Sequence, residues 1–175
     1  MPTIHNGDVE FEHGISVEID DNKIHSIQDA INSFQQSELV TVNCINNQCP
    51  NELSRKQLRY KSIKFVETSD YLIVQLKRFK RLNTLSTFIN KRIFLNDKIL
   101  IKNNEIEKSY SLISVVHHLG DDINSAHYDC RSLINNVWCE INDDIVNTCI
   151  MEKNSTTCYI NQTLTKNIVY NETFS

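Results

Sequence analysis

Apolar and polar residues alternate over Ile15-Ser16-Val17-Glu18-Ile19, the pattern of a strand with one buried face. The period then changes. Ser26-Ile27-Gln28-Asp29 resembles a capping box, and Ile27, Ala30, Ile31 and Phe34 follow at i, i+3, i+4 and i+7, which predicts a short amphipathic helix. Val40 to Val42 predicts a strand leading to Cys44 and Cys49. From Ile63 onward the pattern is β. Tyr71-Leu72-Ile73-Val74-Gln75-Leu76 is nearly continuous apolar sequence, as a strand buried on both faces requires. Further strands are expected at Arg92–Leu95, Ile99–Lys102, Tyr110–His117, His127–Ile134, Val137–Ile141 and Cys158–Leu164, separated by short polar or Asn-rich segments at hairpin spacing. Segment 81–91 reads as a loop. The expected class is α+β, with one early helix and then a mainly antiparallel sheet of about six strands.

The length of 175 residues suits one domain with a sizeable core. Glycine (3) and proline (2) are scarce, so asparagine, which tolerates the left-handed region, is expected to fill many turns. The net charge of -4 argues against a nucleic-acid partner. No apolar run reaches the roughly 20 residues that span a bilayer, and the first residues carry no secretory signal pattern, so an intracellular protein of cytoplasm or nucleus is expected. Six cysteines and the sequons at Asn154, Asn161 and Asn171 admit a secreted, disulfide-bonded alternative. Cys130 and Cys139, however, lie inside apolar strand-like runs, where free cysteine acts as a small hydrophobe.

Three blocks, in order, resemble the ubiquitin-specific protease family. They are Tyr71 to Phe79, Tyr110 to Gly120, and Ser125-Ala126-His127-Tyr128 with the later Trp138-Cys139-Glu140-Ile141-Asn142-Asp143-Asp144. Weaker likenesses, at Ile24–Leu39, Cys44 with Cys49, and Lys91–Ile101, fall in the same order, so the resemblance runs from about residue 9 to 165. It implies the mainly antiparallel palm of a papain-like cysteine protease (about residues 64–175) and a partial fingers subdomain (about 1–63), together one partial catalytic domain. It also implies ubiquitin or a ubiquitinated protein as partner, and hydrolysis of the bond that follows the ubiquitin C-terminus.

In that chemistry a thiol is deprotonated by an imidazole, which a third group holds in one tautomer. The resemblance puts the base at His127 and the orienting group at Asn142, with Asp143 beside it. His118 is implied as structural support, His117 as packed or exposed, Trp138 as a core aromatic, and Lys77 and Arg78 as a solvated strand end. Ala126 departs from the family's glycine and adds a Cβ beside the channel for the Gly-Gly tail. The family's cysteine box is not found before Tyr71. By letters, Thr157-Cys158-Tyr159-Ile160-Asn161 resembles it, which would make Cys158 the nucleophile of a permuted enzyme; Thr, Tyr and Ile favour a strand instead. The 175 residues are therefore expected to be inactive alone and to need a thumb segment or partner chain; the alternative is a non-catalytic pseudo-protease module that binds ubiquitin through palm and fingers. Cys44 and Cys49 are one irregular cysteine pair where a structural zinc needs four ligands, so no zinc and no other cofactor is expected.

Overall fold

The computed structural model describes residues 5–12, 14–43, 56–82, 85–102, 107–122, 125–155, 158–161 and 168–174. In chain order these form β1 (His5–Glu12), β2 (Ile15–Glu18), α1 (Ile27–Phe34), β3 (Glu38–Asn43), β4 (Lys56–Glu67) and β5 (Val74–Lys77). Then come β6 (Phe79–Leu82), β7 (Leu85–Phe88), β8 (Ile93–Phe94), β9 (Lys98–Lys102), β10 (Glu107–Ser111) and β11 (Ser114–Asp122). The last are β12 (Ser125–Ile134), β13 (Val137–Asn142), β14 (Ile145–Thr148), β15 (Asn154–Ser155), β16 (Cys158–Asn161) and β17 (Ile168–Phe174).

The α+β class holds: one helix lies against a largely antiparallel structure. A seven-stranded sheet runs β14-β13-β12-β11-β16-β5-β2, and a four-stranded sheet runs β1-β17-β4-β3. Three strand pairs, β9–β10, β8–β15 and β6–β7, complete it. Among the described residues all strand pairings are antiparallel except β2 with β5. There Gly14 passes so close to Ile73 that a Cβ would come within 2.8 Å of the isoleucine Cβ, which lets Ile15 N–H reach Ile73 O at 2.9 Å. Both large sheets draw on early and late parts of the chain.

The helix forms where the periodicity places it. The Ser26 hydroxyl accepts from Asp29 N–H at 3.1 Å, and the Asp29 carboxylate accepts from His25 N–H at 3.0 Å, a reciprocal cap for the first turn. Ile27, Ala30 and Ile31 are buried. Gln28 ties the helix to β9 through Leu100 N–H (2.7 Å) and Leu100 O (2.9 Å). The core gathers Ile15, Val17, Ile31, Val74, Leu76, Ile93, Leu95 and Ile101, all nearly without exposed surface. It thus lies at the β2–β5 end, beneath α1.

Three expectations need correction. The strand expected over Tyr71–Leu76 begins only at Val74. Segment 81–91 is not a loop throughout, because β6 and β7 form a hairpin with the Phe79 and Phe88 rings tilted against each other, centroids 5.3 Å apart. Arg78 is not a solvated strand end. It has no exposed surface, and its Nη1 donates to Ile89 O (3.2 Å) and Lys91 O (2.6 Å). Lys77 is the solvated residue of the two, paired with Glu18 at 2.9 Å.

Candidate active site

Turn chemistry sets the register of the site. Asn135 (φ 49°) and Asn136 (φ 64°) are both left-handed, as a two-residue hairpin between right-twisted strands demands. Ile134 therefore faces Val137, Leu133 faces Trp138, and Cys130 faces Ile141. One step further along, Asn142 comes level with Asp129, and His127 is its diagonal neighbour on the same face. His127 Nε2 lies 2.6 Å from Asn142 Oδ1. An amide oxygen only accepts, so Nε2 carries the hydrogen and Nδ1 keeps a lone pair, free to take a proton. His127 is exposed and Asn142 half-buried.

Side chains two apart on a strand share a face, so Asp129 and Arg131 stand in line with His127. Each has a cross-strand partner. His117 Nδ1 on β11 is 2.7 Å from Asp129 Oδ1, with both side chains over nine-tenths buried. Arg131 meets Glu140 on β13 at 3.5 Å. Burial lowers the His117 ring below its ordinary range, and the Asp129 charge opposes this without reversing it. The ring is thus held neutral beside the carboxylate.

On the opposite face His118 is buried against Phe79 (5.7 Å) and Tyr128 (5.2 Å), edge to face in both cases. Neither of its ring nitrogens has a hydrogen-bond partner among the described residues. Nearby, Ser114 Oγ lies 3.3 Å from Cys130 Sγ and 2.8 Å from Ser132 Oγ.

Asp143 is an exposed, left-handed turn residue (φ 51°) with no hydrogen bond to His127 among the described ones. Cys158 lies in strand β16, where its backbone pairs with His118, and not on a helix such as the family's cysteine box forms. Cys44 and Cys49 fall outside the described residues. No group of three or more His, Cys, Asp or Glu gathers among the described residues. Cys130, Cys139 and Cys149 are free thiols, and Asn154, Asn161 and Asn171 all sit in strands. No helix among the described residues is long and apolar enough to cross a membrane.

The family model described as ubiquitin carboxyl-terminal hydrolase matches residues 11–166. The chain belongs to this family. It is 29% identical over 120 residues to "Ubiquitin hydrolase B" of Dictyostelium discoideum, covering 66% of this chain and 25% of that protein. It is 28% identical over 145 residues to "Probable ubiquitin carboxyl-terminal hydrolase 4" of Schizosaccharomyces pombe, covering 77% of this chain and 24% of that one. The chain thus spans about a quarter of the length of these relatives. A solved chain of the yeast SAGA DUBm with an Sgf73 mutant shares the fold, with a TM-score of 0.63 at 21% identity, over 91% of this chain and 35% of that one.

Within this family frame the sequence reading passed over the His117–Asp129 pair and the burial of Arg78. One signal was available. His127, Asp129 and Arg131 fall at i, i+2 and i+4 of a strand and must share a face, but what stands opposite them depends on a register that only the fold supplies.

Proposed function

We propose that these residues form the histidine-bearing part of a cysteine-type deubiquitinase that hydrolyses the isopeptide bond at the ubiquitin C-terminus. The observation that carries this reading is the 2.6 Å contact between His127 Nε2 and Asn142 Oδ1 in a chain of this family. His127 is the general base: its free Nδ1 takes the proton from a thiol, and the thiolate attacks the carbonyl of the terminal glycine. The protonated imidazole then delivers that proton to the departing lysine amine. Asn142 holds the ring in the tautomer this needs; Asp143 is a lesser candidate for that role.

The thiol itself comes from a cysteine box that is not found within these 175 residues, so they bind ubiquitin but do not cleave it alone. Zinc takes no part in this reading, because its four-ligand site would have to be completed around the single pair Cys44 and Cys49; one zinc per chain by elemental analysis would overturn that. The setting proposed is intracellular, where thiols stay reduced.

Calorimetric titration with ubiquitin tests binding, and no measurable heat counts against it. Turnover of a ubiquitin C-terminal amide should be absent for the chain alone. It should appear when a family cysteine-box segment is co-expressed, and fall by about 100-fold or more in Asn142→Ala. Turnover by the chain alone would refute the fragment reading. Labelling of Cys158 by a ubiquitin probe with a thiol-reactive C-terminus would make that residue the nucleophile.

A further inference from the structure

We propose that Asp129 is a positioning residue for His127, a buried carboxylate that supplies the negative charge which the neutral amide of Asn142 cannot offer to the protonated ring. The proposal rests on the reading of His127 as base. An amide can fix the tautomer of the neutral imidazole, but the reaction passes through an imidazolium, which a nearby anion favours.

Three observations point to Asp129. It is two residues from His127 on one strand, hence on the same face and about 7 Å away along the backbone. It is only 8% exposed, and a buried charge acts through a lower effective dielectric than one in water. Its contact, His117, packs at 2.7 Å and is held neutral by burial, so the carboxylate is contacted without its charge being cancelled. Arg131 on β12 is engaged by Glu140 on β13. Asp143 and Asp144, in the turn after β13, are exposed and screened by salt. From β11 the residue opposite His127 is Leu119, which carries no charge.

The test is an NMR pH titration of the His127 ring in the 175-residue chain, alone and as Asp129→Asn, His117→Gln and Asp143→Asn. In Asp129→Asn the midpoint of the His127 titration is expected to fall, and to do so at high salt as well. In Asp143→Asn any change should vanish with salt. A folded Asp129→Asn protein with an unmoved His127 midpoint overturns the proposal. Should Asp129→Asn fail to fold, His117→Gln decides. It leaves the carboxylate in place, so the midpoint should hold or rise, and a fall overturns the idea. The ring ¹⁵N shifts of His127 separate the two levels. Loss of the Nε2–H tautomer in the unsubstituted chain would undo the His127–Asn142 reading itself, whereas that tautomer with an unmoved midpoint removes only Asp129.

Discussion

Arg78 carries its charge into the interior and uses it on backbone oxygens. Its guanidinium holds the chain after β7 through Ile89 O and Lys91 O, while Ile89 N–H donates back to Arg78 O at 2.6 Å. Removing it leaves Lys91 O without this donor and Ile89 O with the Lys91 N–H alone of the two, a costly loss for part-buried groups. Arg78→Met should lower unfolding stability by about 3 kcal/mol, and Arg78→Lys should not restore it, because both bonds come from Nη1, which lies one bond further out than a lysine ammonium reaches. Urea unfolding measures both; a loss below about 1 kcal/mol would mean that the side chain merely fills space. The sequence offered no hint of this. A basic residue at the end of an apolar strand is usually solvated, and Lys77, its neighbour, is.

His117 gives stability a pH dependence whose sign follows from its surroundings. Its proton affinity is lower in the folded chain than the ordinary value of 6.5. Below that value the unfolded chain therefore binds the proton more readily, and stability falls as the pH falls through 6.5 toward the folded midpoint. Above it both states are neutral and this contribution is flat. Unfolding midpoints measured between about pH 8 and pH 5.5 should decline on the acid side, with a shallower decline in His117→Gln. An identical profile in that variant would assign the slope to other groups.

At the scale of elements, legibility follows how local the determining contacts are. The helix and its cap could be read from the sequence, since Ser26, Asp29 and the apolar stripe that define it lie within nine positions. Ser26→Ala should cost about 1 kcal/mol, and the loss should shrink in strong acid, because the Asp29 carboxylate, held below its usual range mainly by the His25 N–H, then releases its half of the cap. The hairpin β12–β13 was legible for the same reason, through Asn135 and Asn136. By contrast β1 and β17 were not foreseen. They pair from His5↔Phe174 to Glu12↔Ile168, a contact between opposite ends of the chain, and no local pattern announces a partner that remote. The β6–β7 hairpin was hidden by its polar composition. The apolar run at Tyr71 to Leu76 overstated its strand, because Leu72 is buried in core packing without joining the ladder.

For the whole molecule, the uneven distribution of the core decides how the site end behaves. Under α1 the sheet is sealed, but β14 is an edge strand among the described residues, and both its faces are exposed: Ile145 at 62% on one and Val146 at 59% on the other. Val137 and Ile134, at the hairpin that begins β13, are also over two-fifths exposed. An unpaired edge strand flanked by apolar side chains is a template for another chain, and a patch of this kind drives association in a protein that leaves it uncovered. The 175-residue chain should therefore self-associate at micromolar concentration and bind an apolar dye, and Ile145→Lys with Val146→Lys should return it to a monomer. Because neither side chain touches the core, the double variant should keep its urea midpoint to within about 0.5 kcal/mol. Sedimentation velocity reads the first outcome and denaturation the second. A parent chain that is already monomeric and dye-negative would mean that β14 is better covered than its exposure implies. Association that survives the two lysines would move the contact elsewhere, to the outer face of β3 and β4, where Leu39, Leu58 and Tyr60 are each more than half exposed.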